Sequence, residues 1–154
     1  GQNFIQISSP VTSRDNLRQS AIDVITLATA LPGATTAGVT APLFDVQRIH
    51  FAGQSLGGIV GTLVAAMPSN FQSAALSVPG GGIARLLLDS ATFGPGIRQG
   101  VAANLGNDTL LFNVFFRDAQ AGTDAGDPIN YARTAATNQR LLLHKVVGDT
   151  VVPN

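Results

Sequence analysis

Between residues 48 and 67 three patterns follow one another without a break. Arg48-Ile49-His50-Phe51-Ala52 is a short, mostly apolar run that reads as a buried strand. Gly53-Gln54-Ser55-Leu56-Gly57 follows at once. Leu56, Ile59, Val60, Leu63, Val64 and Met67 then repeat at helical spacing until Pro68 stops them. A chain that passes from buried strand to apolar helix in so few residues needs a sheet with helices packed on it.

The rest of the chain agrees. Leu17, Ala21, Val24, Ala28 and Leu31 fall three or four apart before Pro32-Gly33, and predict a helix. Thr12, with Asp15 three residues on, resembles a capping box for its start. Residues 33–47 are rich in Gly, Thr, Ala and Pro and read as a connection. Phe71 to Val78 predicts a second strand, closed by Pro79 and three glycines. Ile83 to Asp89 and Thr109 to Ala119 predict helices, and Arg140 to Val147 a last strand. Strands alternating with helices define an α/β fold, with a parallel sheet expected to carry helices on both faces. No repeat or low-complexity linker divides the 154 residues, a length suited to one domain.

Composition removes several classes. The formal net charge is zero, so no bulk field favours nucleic acid. Cysteine is absent, which excludes disulfides and thiolate metal sites. No metal or organic cofactor is implied. No run of about 18 uncharged apolar residues suggests a membrane span, and Gly1 to Ser9 lacks the pattern of a signal peptide.

The chemistry gathers at Ser55. Gly53-Gln54-Ser55-Leu56-Gly57 matches G-x-S-x-G in the setting the motif requires, after a strand and before a helix. The tight turn strains the serine backbone and lifts its hydroxyl above the sheet near the positive end of the helix. Small residues two before and two after the serine, Gly53 and Gly57, are expected to avoid clashes. The Leu56 N–H can donate to a developing oxyanion. The plainer reading is a glycine-rich turn whose Ser55 caps a helix. A P-loop is excluded, since the only lysine is Lys145; a dinucleotide fingerprint would need glycine where Ser55 stands.

A nucleophilic serine needs a base, and the base an orienting acid. Asp149 is the best acid, because Val147-Gly148-Asp149 follows the last strand and so falls at the rim where Ser55 stands. Asp89, Asp118, Asp124 and Asp127 compete from helical or polar loop segments, where surface aspartates are ordinary. His50 and His144 are the only histidines; both precede Asp149 within strands, and read as structural residues.

The stretch His50-Phe51-Ala52-Gly53-Gln54-Ser55-Leu56-Gly57-Gly58-Ile59-Val60-Gly61-Thr62 resembles the nucleophile elbow of α/β-hydrolases, in particular bacterial extracellular lipases. Thr12 to Ser20, Ser77-Val78-Pro79-Gly80-Gly81-Gly82 and Val147 to Asn154 are similar to segments of the Pla-1/cef type of that group. The resemblance implies carboxylic-ester hydrolysis on ester or lipid substrates and a secreted or cell-envelope protein. It also implies strands before residue 1 that supply a second oxyanion donor, and a histidine after the acid. Residues 1–154 are therefore expected to be one incomplete domain, inactive alone. Its partners would be its own missing parts or a second copy.

Leu110, Leu111, Phe112, Val114, Phe115 and Phe116 are six apolar residues in seven positions and cannot share one helix face. By the resemblance, residues 90–135 fall where lipases insert a lid or acyl-pocket helices, with a lipid-interface contact; plain core helix is the alternative. Two other readings stay open for the whole chain: a non-catalytic pseudo-enzyme or interaction domain, and another acyl-transfer enzyme such as a thioesterase, peptidase or acyltransferase.

Overall fold

The computed structural model describes residues 4–35, 37–38 and 43–153. Part of the 33–47 connection, residues 1–3 and Asn154 lie outside the described residues. Among the described residues the chain forms three strands and six α-helices: α1 (Pro10–Ala30), β1 (His50–Gln54), α2 (Leu56–Ala66), β2 (Ser73–Ser77), α3 (Ile83–Asp89), α4 (Gly94–Leu105), α5 (Thr109–Thr123), α6 (Ala132–Asn138) and β3 (Leu141–His144). No helix among them is long and apolar enough to cross a membrane.

The fold is α/β, as the alternating pattern predicts. The sheet runs β1-β2-β3 and is parallel throughout. Gln54 pairs with Ser77, and Ser77 with His144, so the three strands end together at one edge. Gly58 to Ala66 of α2 are all buried. A helix apolar on every side must be surrounded, and α2 lies on β1 and β2 with α1 and α6 against its remaining sides. Leu17 and Ala21 of α1 close over Ile59, Leu63 and Ile83 to form the main core.

Helices on both faces are not what the described residues show. Phe51, Gly53, Ala74 and Leu76 point toward the helices, while His50, Ala52, Gln54, Leu142 and His144 stand exposed on the other face. The strand order explains this. A sheet that grows in one direction through right-handed crossovers puts every crossover helix on the same side, and β1-β2-β3 never reverses.

The start of α1 also differs from the expected Thr12–Asp15 box. The helix begins at Pro10, behind Ser9, with no side-chain cap. Proline suits the first helical turn because its missing N–H would have no partner there. Ser9 Oγ instead donates to Thr12 Oγ1 at 2.6 Å.

Asp127 is not the surface aspartate expected. It is fully buried, and its carboxylate accepts from the backbone N–H groups of Gly82 (2.7 Å), Ile83 (2.6 Å) and Ile129 (3.0 Å) and from Gln120 Nε2 (2.8 Å). It fastens the start of α3 to the turn before α6. Removing that acceptor leaves three backbone N–H groups without it, and a buried donor left unsatisfied costs about 1–3 kcal/mol. Asp127→Ala should lower the unfolding free energy by about 3 kcal/mol or more, read from urea melts. Asp118→Ala, which removes only an exposed pair with Arg117, should change it by less than about 0.5 kcal/mol.

Candidate active site

Ser55 stands at the turn from β1 into α2 with φ 53° and ψ −118°. A non-glycine residue with positive φ is uncommon and stores strain. The turn is held from both sides: Ser55 N–H donates to the Ser77 carbonyl at 3.0 Å, and the Ser55 carbonyl accepts from Ile59 N–H at 2.9 Å. The hydroxyl does not cap α2. The helix-capping reading of Ser55 is therefore not what the geometry shows. Instead Ser55 lines a cleft of about 690 Å³ together with Leu56, Ile59, Leu86, Thr92 and Val152. Leu56 is the first residue of α2, where backbone N–H groups lack helical partners.

The glycines divide the steric demand unevenly. A Cβ on Gly53 would collide with the Gly57 carbonyl and approach the Phe51 ring to 2.8 Å. One on Gly58 would come within 2.9 Å of the Ser77 oxygen and 3.2 Å of Pro79 Cα, and one on Gly61 would strike Phe51 and Leu76. One on Gly57 meets nothing within 4 Å. The expected need for a small residue two places after the serine is thus not a clash at Gly57 itself; it falls on Gly58, one residue on. Gln54 is exposed on the open face of the sheet, beside Ser77 in the pairing register.

A second strained residue sits beside the first. Val78 has φ 43°, rare for a β-branched residue, and precedes proline, which restricts it further. Its N–H donates to the His144 carbonyl at 2.7 Å. Ser55 and Val78 thus close neighbouring strands at one edge.

Asp149 reaches the same edge, because β3 is parallel to β1 and ends in register with it. Its Oδ1 accepts from Val151 N–H at 2.8 Å and Val152 N–H at 3.0 Å. These bonds, that from Val152 first, hold its carboxyl below the ordinary aspartate range. Val151 and Val152 wall the cleft that contains Ser55. The turn is moored to the α3–α4 junction: the Thr150 carbonyl accepts from Ser90 Oγ (3.1 Å) and Thr92 N–H (3.0 Å).

Neither histidine lines that cleft. His50 Nδ1 lies 2.9 Å from Ser73 Oγ at the start of β1, and His144 Nδ1 lies 2.9 Å from Ser77 Oγ at the end of β3. Both pairs bridge adjacent strands on the open face, so the histidines are partnered but exposed rather than packed. The cross-strand pairs were not legible without the register. Among the described residues no three His, Asp or Glu side chains gather as a metal site.

The expected helix of residues 109–119 is α5, which runs on to Thr123. Leu110 is 70% exposed and Leu111 46%, so the apolar stretch does spill beyond one face. Phe93 and Ile97, at the start of α4, line the Ser55 cleft. Compared with known proteins, the chain matches no family model and no curated sequence.

Gly57→Ala should leave stability and the elbow intact, while Gly53→Ala and Gly58→Ala should each lower stability by roughly 1–3 kcal/mol, the range for overpacking, as measured by thermal melts. Asp149, with its pKa depressed on folding, should stabilise its turn fully above the ordinary aspartate value of about 3.9 and release it as pH falls through the lower folded value. Carboxyl NMR should give a midpoint under that ordinary value, with the Val151 and Val152 amides titrating in step. A midpoint at or above it would show that the two bonds do not form.

Proposed function

We propose that residues 1–154 carry the nucleophile and the acid of a serine hydrolase of α/β-hydrolase type that cleaves carboxylic esters. The observation that carries the reading is the backbone of Ser55. A strained serine between a parallel strand and an apolar helix, with its hydroxyl uncommitted to the helix and beside an apolar cleft, is the arrangement an elbow nucleophile requires. Ser55 Oγ attacks the ester carbonyl, and the Leu56 N–H donates to the oxyanion. Asp149 orients the base: it lies at the same edge, is held ionised, and uses only Oδ1 for its own turn. The resemblance in sequence to extracellular lipases supports the ester as substrate and a lipid surface as its source.

The base comes from a histidine outside these residues. His50 starts at the opposite end of β1, and a five-residue strand at about 3.3 Å per residue separates it from the Ser55 edge. His144 faces away from the cleft and holds Ser77.

The chain by itself should hydrolyse p-nitrophenyl butanoate no faster than Ser55→Ala, since a serine without its base is a weak nucleophile. Added imidazole should restore turnover in the chain beyond what it gives with Ser55→Ala, and a longer polypeptide bearing a histidine after Asp149 should hydrolyse the ester and lose that activity on Ser55→Ala. No Ser55-dependent turnover in the longer polypeptide would sink the nucleophile assignment. Robust Ser55-dependent turnover by the chain without imidazole would overturn the absent-histidine reading and bring His50 or His144 back as the base.

A further inference from the structure

We infer that Gly96 sets the length of acyl chain that the cleft beside Ser55 accepts; the inference rests on the proposed role of that serine. The cleft holds about 690 Å³. With a water-sized group taking about 30 Å³, that is room for an unbranched acyl chain of roughly a dozen carbons or more with its ester head. Apart from Ser55 and Thr92, its lining side chains are apolar. Such a wall offers a hydrocarbon no directional partner and rewards length: each methylene taken out of water strengthens binding about fourfold.

One helix forms the wall that can change most easily. Phe93, the N-cap of α4, and Gly96 and Ile97 within it line the cleft at the three-and-four spacing of a single helix face. Phe93 and Ile97 bring bulk, and Gly96 brings none. Nothing in the backbone demands glycine there. Gly96 is not among the positive-φ residues, and a Cβ built on it meets nothing within 4 Å. Gly94, two residues earlier, differs: its Cβ would collide with the Leu88 carbonyl. Glycine is also a poorer helix former than alanine. The missing side chain at 96 therefore serves neither the turn nor the packing; Gly96 is exposed at the cleft, where added bulk would narrow it. Gly100, a turn later on the same helix, is equally unhindered but does not line the cleft, and so provides the control.

The test uses binding, which needs no base. The chain should bind dansyl-undecanoic acid, and unlabelled fatty acids should displace it about fourfold better per added methylene up to dodecanoate. In Gly96→Phe the gain should stop at a shorter acid, and the dansyl probe should bind at least tenfold more weakly. Gly100→Phe should match the parent within twofold. Gly96→Val gives the same shift in smaller measure and keeps the test readable if Gly96→Phe does not fold. An unchanged length profile in both Gly96 variants overturns the inference, whatever Ser55 does in the ester assay. Graded, Gly96-dependent binding without Ser55-dependent turnover would leave the cleft as the acyl site and remove only its use in ester cleavage, so the two failures are told apart.

Discussion

The close approach of α2 to the sheet is the contact on which the remaining structure depends. Gly58 and Gly61 face β2 and the Phe51 ring with no side chain between, and the helix is buried on every side as a result. That proximity leaves the chain one residue, Ser55, in which to turn from strand to helix, and the turn forces positive φ on it. The strain, of order 1–3 kcal/mol, is offset by the burial of nine consecutive residues of α2, each large apolar side chain among them contributing about 1.5–3 kcal/mol. The same proximity sets Pro79 against Gly58 and so connects the elbow to the strained Val78 turn.

From that edge the structure is fastened outward by polar contacts rather than by more core. Ser77, through its carbonyl and hydroxyl, holds both Ser55 and His144. Thr150 ties the Asp149 turn to Ser90 and Thr92 at the α3–α4 junction. Asp127 binds the start of α3 from the far side. Gly80 packs against Leu86 and Val152 with no room for a side chain of its own, since a Cβ there would collide with Leu86 and come within 2.9 Å of Val152. The cleft wall is thus assembled from several elements, each positioned by a bond to another.

Much of this was legible in the residues. The helical spacing of α1, α2, α3 and α5 and the strand runs of β1, β2 and β3 come from side-chain period alone, and the elbow from glycine placement around Ser55. Two helices were not. α4 begins Gly-Pro-Gly, which reads as a break and hides the spacing of Ile97, Val101 and Leu105 behind it, and α6 buries only Ala135 and shows no periodic stripe. The burial of Asp127 depends on donors more than forty positions away in sequence, which no local pattern reports. The open face of the sheet followed from strand order, and strand order is not written in any one strand.

The sequence separations in the sheet have a consequence for its stability in parts. His50 and Ser73 of the first strand pair lie 23 positions apart, whereas Ser77 and His144 of the second lie 67 apart. Closing the longer loop costs roughly 1 kcal/mol more in chain entropy, and β3, only four residues long, has few contacts to offset it. Partial opening is therefore expected to begin at β3, releasing the Asp149 turn while β1, α2 and β2 stay folded. Amide exchange would register this as faster exchange at Val151 and Val152 than through α2. Ser55 would then keep its strained geometry even while the Asp149 turn is away, so the conformation of the one belongs to the shortest-range contacts of the sheet and the position of the other fluctuates.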